Sequence, residues 1–176
     1  MIASFFDTSA LQHRYVQGPY SRRVRYLVGR RSTNSYIADL TVLEMANTLA
    51  TRCRGSGWGM KTFDRLNDRF LDDIAAARLT VRPCGSREVR RAVHLIRFAG
   101  VAKKKGLKSS DALIASCALE FALETQQAVN FYMSDWQLYC CLRDFNAFRT
   151  TMNLILLGKT KDGTPSECRV LSSALT

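Results

Sequence analysis

The chain has 176 residues, of which 26 are Lys or Arg and 15 are Asp or Glu, giving a formal net charge of +11. That length suits one domain with its own core, and the positive charge favours an anionic partner, nucleic acid ahead of an acidic membrane or protein. Six cysteines without a C-x-x-C pair argue against a zinc site and for a reducing, cytoplasmic setting, and we expect neither a signal peptide nor a membrane segment.

Apolar periodicity divides the chain into alternating strands and helices. In chain order the prediction is a strand at 2–6, helices at 10–16 and 21–31, a strand at 35–38, helices at 40–52 and 61–78, a strand at 79–81, a helix at 87–105, a helix that begins at 109 or 110, a strand at 129–133, a helix at 136–143 and a strand at 152–157. This alternation favours a parallel α/β sheet with helices on both faces. The polar residues 158–176 are expected to form a C-terminal tail, in which 168–171 is a candidate edge strand.

Helical spacing also predicts which side chains face the core. The helix at 40–52 is predicted to bury Val42, Ala46, Leu49 and Cys53, and the helix at 87–105 to bury Val89, Val93 and Ile96, with Gly100 as a further candidate. In the helix at 61–78, four acids alternate with arginines, which predicts a solvated face and not a metal site. These acids are Asp64, Asp68, Asp72 and Asp73.

Asp7 directly follows the first predicted strand, in the stretch FFDTSAL. A carboxylate at the end of a parallel strand lies at the carboxyl edge of the sheet, where α/β proteins usually bind ligands. Taken alone, a residue such as Asp7 or Ser9 is more often the cap of the helix that follows.

Three further acids lie at the end of an apolar run or within an otherwise apolar helix. Glu44 lies in VLEMA, where periodicity alone predicts a surface residue, and Asp135 follows the fourth strand. Asp111 lies in the first turn of a helix, whose dipole is expected to keep it ionised. Carboxylates without a partner histidine suit a hard cation such as Mg²⁺ or Mn²⁺. The repulsion among four neighbouring acids makes little structural sense without such a cation.

Two basic segments accompany these acids, one in the helix at 21–31 and one at the end of the helix at 87–105. Any single arginine here is well explained by a solvated face, and the lysines suit the dipole of the helix that they end. The number of cations favours contact with RNA. The candidate RNA-binding residues are Arg22, Arg23, Arg25, Lys103, Lys104 and Lys105.

The stretches DTSAL, VLEMA and SDAL and the pair Ser134-Asp135, in this order, resemble the PIN-domain ribonucleases, most closely the toxins of the VapC type. The resemblance implies a three-layer α/β/α PIN-like fold for residues 1–157, with a central parallel sheet of about five strands. Residues 158–176 remain outside that domain as the polar tail.

The same resemblance implies an endoribonuclease that cleaves RNA by metal-activated water. Asp7 and Asp111 are then the main ligands of Mg²⁺ or Mn²⁺, with Ser9 orienting Asp7 or a bound water. Asp135 and Glu44 complete the site directly or through water. A small antitoxin protein as partner and a homodimer are further expectations of the resemblance.

Three other functions are weighed against this one. A haloacid-dehalogenase-type phosphatase also begins with a strand and an Asp, but Ser9 occupies the place of its second Asp. A PIN-like protein that binds RNA or protein without cutting ranks second, because all four acids are present. A PIN nuclease of RNA processing is not separable from a toxin by sequence.

Overall fold

The computed structural model describes residues 2–29, 34–104, 106–159 and 165–170. Its elements are β1 (Ala3–Phe6), α1 (Thr8–Leu11), a 3₁₀ turn (Gln12–Arg14), α2 (Ser21–Gly29), β2 (Ser35–Ala38), α3 (Asp39–Gly55), α4 (Met60–Ala75), β3 (Thr80–Arg82), α5 (Ser86–Arg97), a π-helical turn (Phe98–Ala102), α6 (Ser109–Thr125), β4 (Val129–Met133), α7 (Trp136–Asp144), α8 (Asn146–Thr151), β5 (Asn153–Lys159) and β6 (Pro165–Val170). All five strands predicted from the sequence are present. Within these ranges no helix combines the length and the apolar character needed to cross a membrane.

The sheet has the strand order β3-β2-β1-β4-β5-β6. β1 lies in the centre and pairs in parallel with β2 and β4, and the next strands outwards, β3 and β5, are also parallel. The predicted parallel α/β sheet is therefore confirmed. β6 pairs antiparallel with β5, so residues 165–170 of the expected tail form an edge strand of the sheet.

Hydrophobic clusters cover both faces of this sheet. Successive residues of a strand point to opposite faces, and Phe5 accordingly packs in one cluster and Phe6 in the other. The Phe5 side is covered by α5 to α8, and the Phe6 side by α1 to α4. The predicted three-layer α/β/α arrangement is confirmed, and β1 ends between helices of both outer layers.

Two predicted helix faces are correct only in part. α3 buries Leu49 and Cys53 as predicted, but it also buries Thr41 and Met45 and leaves Val42 and Ala46 half-buried. α5 buries Ala92 and Leu95 and packs the predicted Ile96 against the core, whereas Gly100 is exposed and Val89 and Val93 are 48% and 59% exposed. The reason is that α5 packs on α6 through small side chains, and Glu88 is held inward because its carboxylate accepts a hydrogen bond from Gly85 N at 2.9 Å.

The predicted solvated face of α4 is wrong for one of its four acids. Asp73 is buried and accepts hydrogen bonds from Arg14 Nη2 at 2.8 Å and from Tyr15 Oη at 2.7 Å. Burial alone raises the pKa of Asp73, but these bonds and one from Arg78 lower it to about 2. Asp73 therefore links α4 to the 3₁₀ turn that follows α1. Asp72, the residue before it, is exposed as predicted.

Candidate functional site

Asp7 lies at the end of β1 and has two structural partners. Its backbone N–H donates to Tyr132 O at 2.9 Å, which continues the pairing with β4. Its Oδ2 caps α1 by accepting hydrogen bonds from Ser9 N at 3.0 Å and from Ser9 Oγ. Its Oδ1 is buried and has no hydrogen-bond partner among the described residues. The cap and the candidate ligand are thus different oxygen atoms of one carboxylate.

Ser9 connects the ends of two neighbouring strands. Its Oγ donates to Asp7 Oδ2 and accepts a hydrogen bond from Ser134 N at 2.8 Å. Because Ser134 follows β4 and Asp7 follows β1, these bonds restrict the rotation of the Asp7 side chain.

Glu44 and Asp111 reach the same edge from opposite layers. Glu44 lies on α3 and accepts a hydrogen bond from Thr8 Oγ1 at 2.6 Å. Asp111 lies in the first turn of α6. One carboxylate oxygen from each of Asp7, Glu44 and Asp111 lies within 4.8 Å of the others. We call these three residues the acidic triad.

Asp135 lies next to the acidic triad, but its carboxylate is not among the oxygen atoms that lie within 4.8 Å of one another. It is the N-cap of α7, and its Oδ1 accepts a hydrogen bond from Leu138 N at 2.9 Å. Together with Asp111 it lines a cavity of about 350 Å³ that also includes Lys108. The structure therefore brings all four predicted acids to the carboxyl edge of the sheet, and three of them have carboxylate oxygens within 4.8 Å of one another.

Solved structures share this fold. The chain is similar to FitAcB from Neisseria gonorrhoeae, with 18% identity and a TM-score of 0.58 over 80% of this chain and 92% of that one. It is also similar to VapBC2 from Rickettsia felis bound to a DNA fragment from their promoter, with 17% identity and a TM-score of 0.51 over 77% and 89%. DNA-bound VapBC from Salmonella typhimurium matches with 15% identity and a TM-score of 0.52 over 79% and 91%. The chain has the PIN-domain fold. No protein-family model and no curated protein matches its sequence.

Electrostatic repulsion is concentrated at this edge of the PIN fold. Burial is the largest cause that raises the pKa of Asp7 to about 6, against the hydrogen bonds from Ser9. The charges of Glu44 and Asp135 raise it further. Burial and then the charge of Asp7 raise the pKa of Asp111 to about 7, although Lys108 lowers it.

The helix N-terminus is therefore not the dominant influence on the pKa of Asp111. A helix N-terminus supplies a partial charge of roughly +0.5, and desolvation with three neighbouring acids outweighs it. A cation among these oxygens reverses the balance, because an opposite charge favours the ionised form of a carboxylate.

The donor set fits a hard divalent cation. Asp7, Glu44 and Asp111 offer oxygen atoms only, which suits Mg²⁺ or Mn²⁺. The unpartnered Oδ1 of Asp7 is the strongest indication, because a buried polar atom normally has a partner.

The basic residues of the PIN fold differ in their surroundings. The α2 arginines (Arg22, Arg23 and Arg25) lie on one helix, with Arg22 and Arg25 exposed. Arg25 donates to Gln17 Oε1 at 3.1 Å and to the backbone carbonyl of Arg14 at 3.3 Å.

Lys103 and Lys104 follow the π-helical turn after α5. Lys103 Nζ lies 3.5 Å from Asp144 Oδ2, and Lys104 is exposed. Lys105, Arg30 and Arg31 lie outside the described residues.

Sequence reasoning did not identify Thr8 as a site residue. Thr8 is buried, and its hydroxyl holds the carboxylate of Glu44. The available signal was its place directly after Asp7, in the first turn of α1, where a side chain lies beside the end of β1.

Proposed function

We propose that the chain is a metal-dependent endoribonuclease and the toxin of a toxin–antitoxin pair. The observation that carries the proposal is the acidic triad, in which one carboxylate oxygen of each residue lies within 4.8 Å of the others and Oδ1 of Asp7 is buried without a partner among the described residues. Three carboxylates at this distance repel one another, and the charge of Lys108 offsets only part of the rise in the pKa of Asp111.

Each acid has a role in this proposal. Asp7 and Asp111 are the main ligands of Mg²⁺ or Mn²⁺, and Glu44 and Asp135 hold it directly or through water. A bound divalent cation lowers the pKa of a coordinated water and stabilises the charge on a phosphate ester. Ser9 keeps Asp7 in place, as its two hydrogen bonds indicate, and Thr8 does the same for Glu44.

The substrate is proposed to be single-stranded or looped RNA. A net charge of +11 supports binding of a polyanion. Exposed cations on α2 and after α5, together with Lys108 beside Asp111, are the groups we assign to the phosphate backbone. Lys105 belongs to the same proposal by sequence alone.

The partner is proposed to be a small antitoxin protein. The similar VapBC2 and VapBC structures are bound to DNA, and the resemblance of the sequence motifs to VapC-type toxins supports a small antitoxin as partner here. A homodimer and a cytoplasmic location are part of the same proposal.

The test is cleavage of total cellular RNA by purified, antitoxin-free protein, with Mn²⁺ or Mg²⁺ and with chelator. Cleavage is expected with the metal and not with the chelator. Asp7→Asn and Asp111→Asn are expected to abolish it, whereas Asp72→Asn on the exposed face of α4 makes the same change of charge and is expected to retain it. Parent-rate cleavage by Asp7→Asn and Asp111→Asn would contradict the mechanism. RNA binding without cleavage under either metal would favour the non-catalytic PIN-like protein.

A further inference from the structure

Trp136 is one of the chain's two tryptophans and lies directly beside the candidate site. It is the first residue of α7, immediately after the capping residue Asp135. Its side chain is 61% exposed. An indole ring that faces water does not gain the stabilisation that burial of its apolar surface would provide. The exposure of Trp136 next to an acidic site therefore needs an explanation.

The ring of Trp136 is held in place by its own helix. It stacks on Tyr139, with ring centroids 5.8 Å apart and an angle of 29° between the planes. Tyr139 is only 1% exposed and belongs to the core. Stacking on a buried ring restricts the indole and leaves the rest of its surface to solvent.

The first turn of α7 is also fixed relative to the loop before α6. Gln137 donates a side-chain hydrogen bond to the carbonyl of Gly106, and both residues line the cavity that holds Asp111 and Asp135. Trp136 therefore lies in the chain between Asp135 and Gln137, which both line this cavity with Asp111 and Lys108.

We propose that Trp136 is a base-stacking residue that binds one unpaired nucleobase next to the phosphate cleaved at the acidic triad. The inference rests on the proposed function, and it adds a nucleobase subsite to it. Proteins that bind single strands combine a cationic path for the backbone with aromatic rings on which bases stack. A base in a duplex cannot reach such a ring, so Trp136 selects unpaired RNA.

An exposed tryptophan also suits a protein interface. RNA is favoured here because Trp136 directly follows Asp135, which lines a cavity together with Lys108 and Asp111, and this combination suits a phosphate and a cation better than an apolar protein surface. A protein contact at Trp136 is one outcome of the test.

The test measures binding without cleavage, in EDTA and at low ionic strength. The Trp58→Phe protein contains Trp136 as its single tryptophan, and its fluorescence is titrated with a short unpaired RNA. Quenching is expected on binding. A strand of the same length with abasic sugars keeps the phosphates and is expected to leave the fluorescence unchanged.

Substitutions at Trp136 separate stacking from packing. Trp136→Ala is expected to weaken binding of the RNA roughly tenfold, and to leave binding of the abasic strand unchanged. Trp136→Leu keeps an apolar cover on Tyr139 and is expected to behave like Trp136→Ala, whereas Trp136→Phe retains most of the affinity. Trp58→Ala, which removes the other exposed tryptophan, is the matched control and is expected to bind like the parent.

The outcomes distinguish this inference from the nuclease proposal. If the parent binds RNA but Trp136→Leu binds equally well and no quenching occurs, the stacking role is wrong and the nuclease proposal stands. If Trp136→Leu changes only the oligomeric state in size-exclusion chromatography, Trp136 is a protein contact and the inference is overturned. If the parent binds no RNA, both proposals fail. Quenching without any metal-dependent cleavage would support the base site and contradict the nuclease proposal.

Discussion

Asp7→Asn is expected to make the metal-free protein more stable above neutral pH, although the variant loses a ligand of the candidate site. The pKa of Asp7 is raised from 3.8 to about 6, chiefly by burial. The folded protein therefore keeps a proton that the unfolded chain has already released. The free energy of unfolding falls as the pH rises from about 4 to about 6, and it stays reduced above that range.

The size of this effect follows from the pKa. At about 1.4 kcal/mol for each pH unit, a rise from 3.8 to about 6 corresponds to about 3 kcal/mol lost by the parent above neutral pH. Asparagine stays neutral and retains an oxygen that accepts the Ser9 hydrogen bonds. A neutral oxygen accepts a weaker hydrogen bond than a carboxylate does, and this lowers the stability of the variant by about 1 kcal/mol. The net gain is about 2 kcal/mol, or roughly 4–8 °C in Tm for a chain of this size.

The measurement is thermal unfolding followed by circular dichroism in EDTA, at about pH 4 and about pH 8. Asp7→Asn is expected to gain stability over the parent only at the higher pH. Added Mn²⁺ is expected to reverse the order, because a ligand that binds only the folded parent stabilises it. Asp72→Asn makes the same change of net charge on an exposed helix face and is expected to follow the parent. A variant that is less stable than the parent at about pH 8 in EDTA would refute the electrostatic argument.

Three further perturbations test the anchoring of the site and the basic surface. Asp73→Asn leaves Arg14 without its carboxylate and is expected to cost about 3 kcal/mol in urea unfolding; a loss no larger than that of Asp72→Asn would contradict the buried pair. Ser9→Ala frees the side chain of Asp7 and is expected to reduce Mn²⁺-dependent cleavage roughly tenfold, and an unchanged rate would show that Ser9 does not position it. Replacing the α2 arginines with Ala is expected to flatten the slope of log affinity against log salt by about 0.7 for each phosphate contact that is lost, whereas an unchanged slope would assign them to a solvated face.

The strands were predictable because central parallel strands are short apolar runs between turn signals. β6 was harder to predict from the sequence, because an edge strand that pairs on one side needs no apolar run. Residues 165–170 are largely polar. α8 was missed because six residues between two other elements give less than two full helical turns of pattern.

The buried face of α5 was predicted only in part, for a different reason. Hydrophobicity favours Val89 and Val93 over Ala92 as core residues, yet α5 buries Ala92 because it lies close to the alanine-rich α6. Close helix packing selects small side chains, and a periodicity argument that weights residues by hydrophobicity favours the larger ones.

Asp7 could be placed from the sequence because it follows a strand, but Glu44 could not be placed by pattern alone. α3 buries Met45 and Leu49 against the sheet, and Glu44 is rotated from that stripe towards the strand ends. Its function depends on where the helix begins relative to β2, which is a tertiary property. The motif resemblance identified Glu44 where periodicity predicted a surface residue.

The two explanations of Asp7, helix cap and ligand, are not alternatives, and this links the site to both layers of the fold. Capping through Oδ2 fixes the carboxylate so that Oδ1 lies buried without a partner. The carboxylate of Glu44 approaches that of Asp7 from the α1–α4 layer, and the carboxylate of Asp111 approaches it from the α5–α8 layer. The separation of the three carboxylates therefore depends on how both layers pack on β1. Mutations in either core that tilt α3 or α6 are expected to act on the site without touching it.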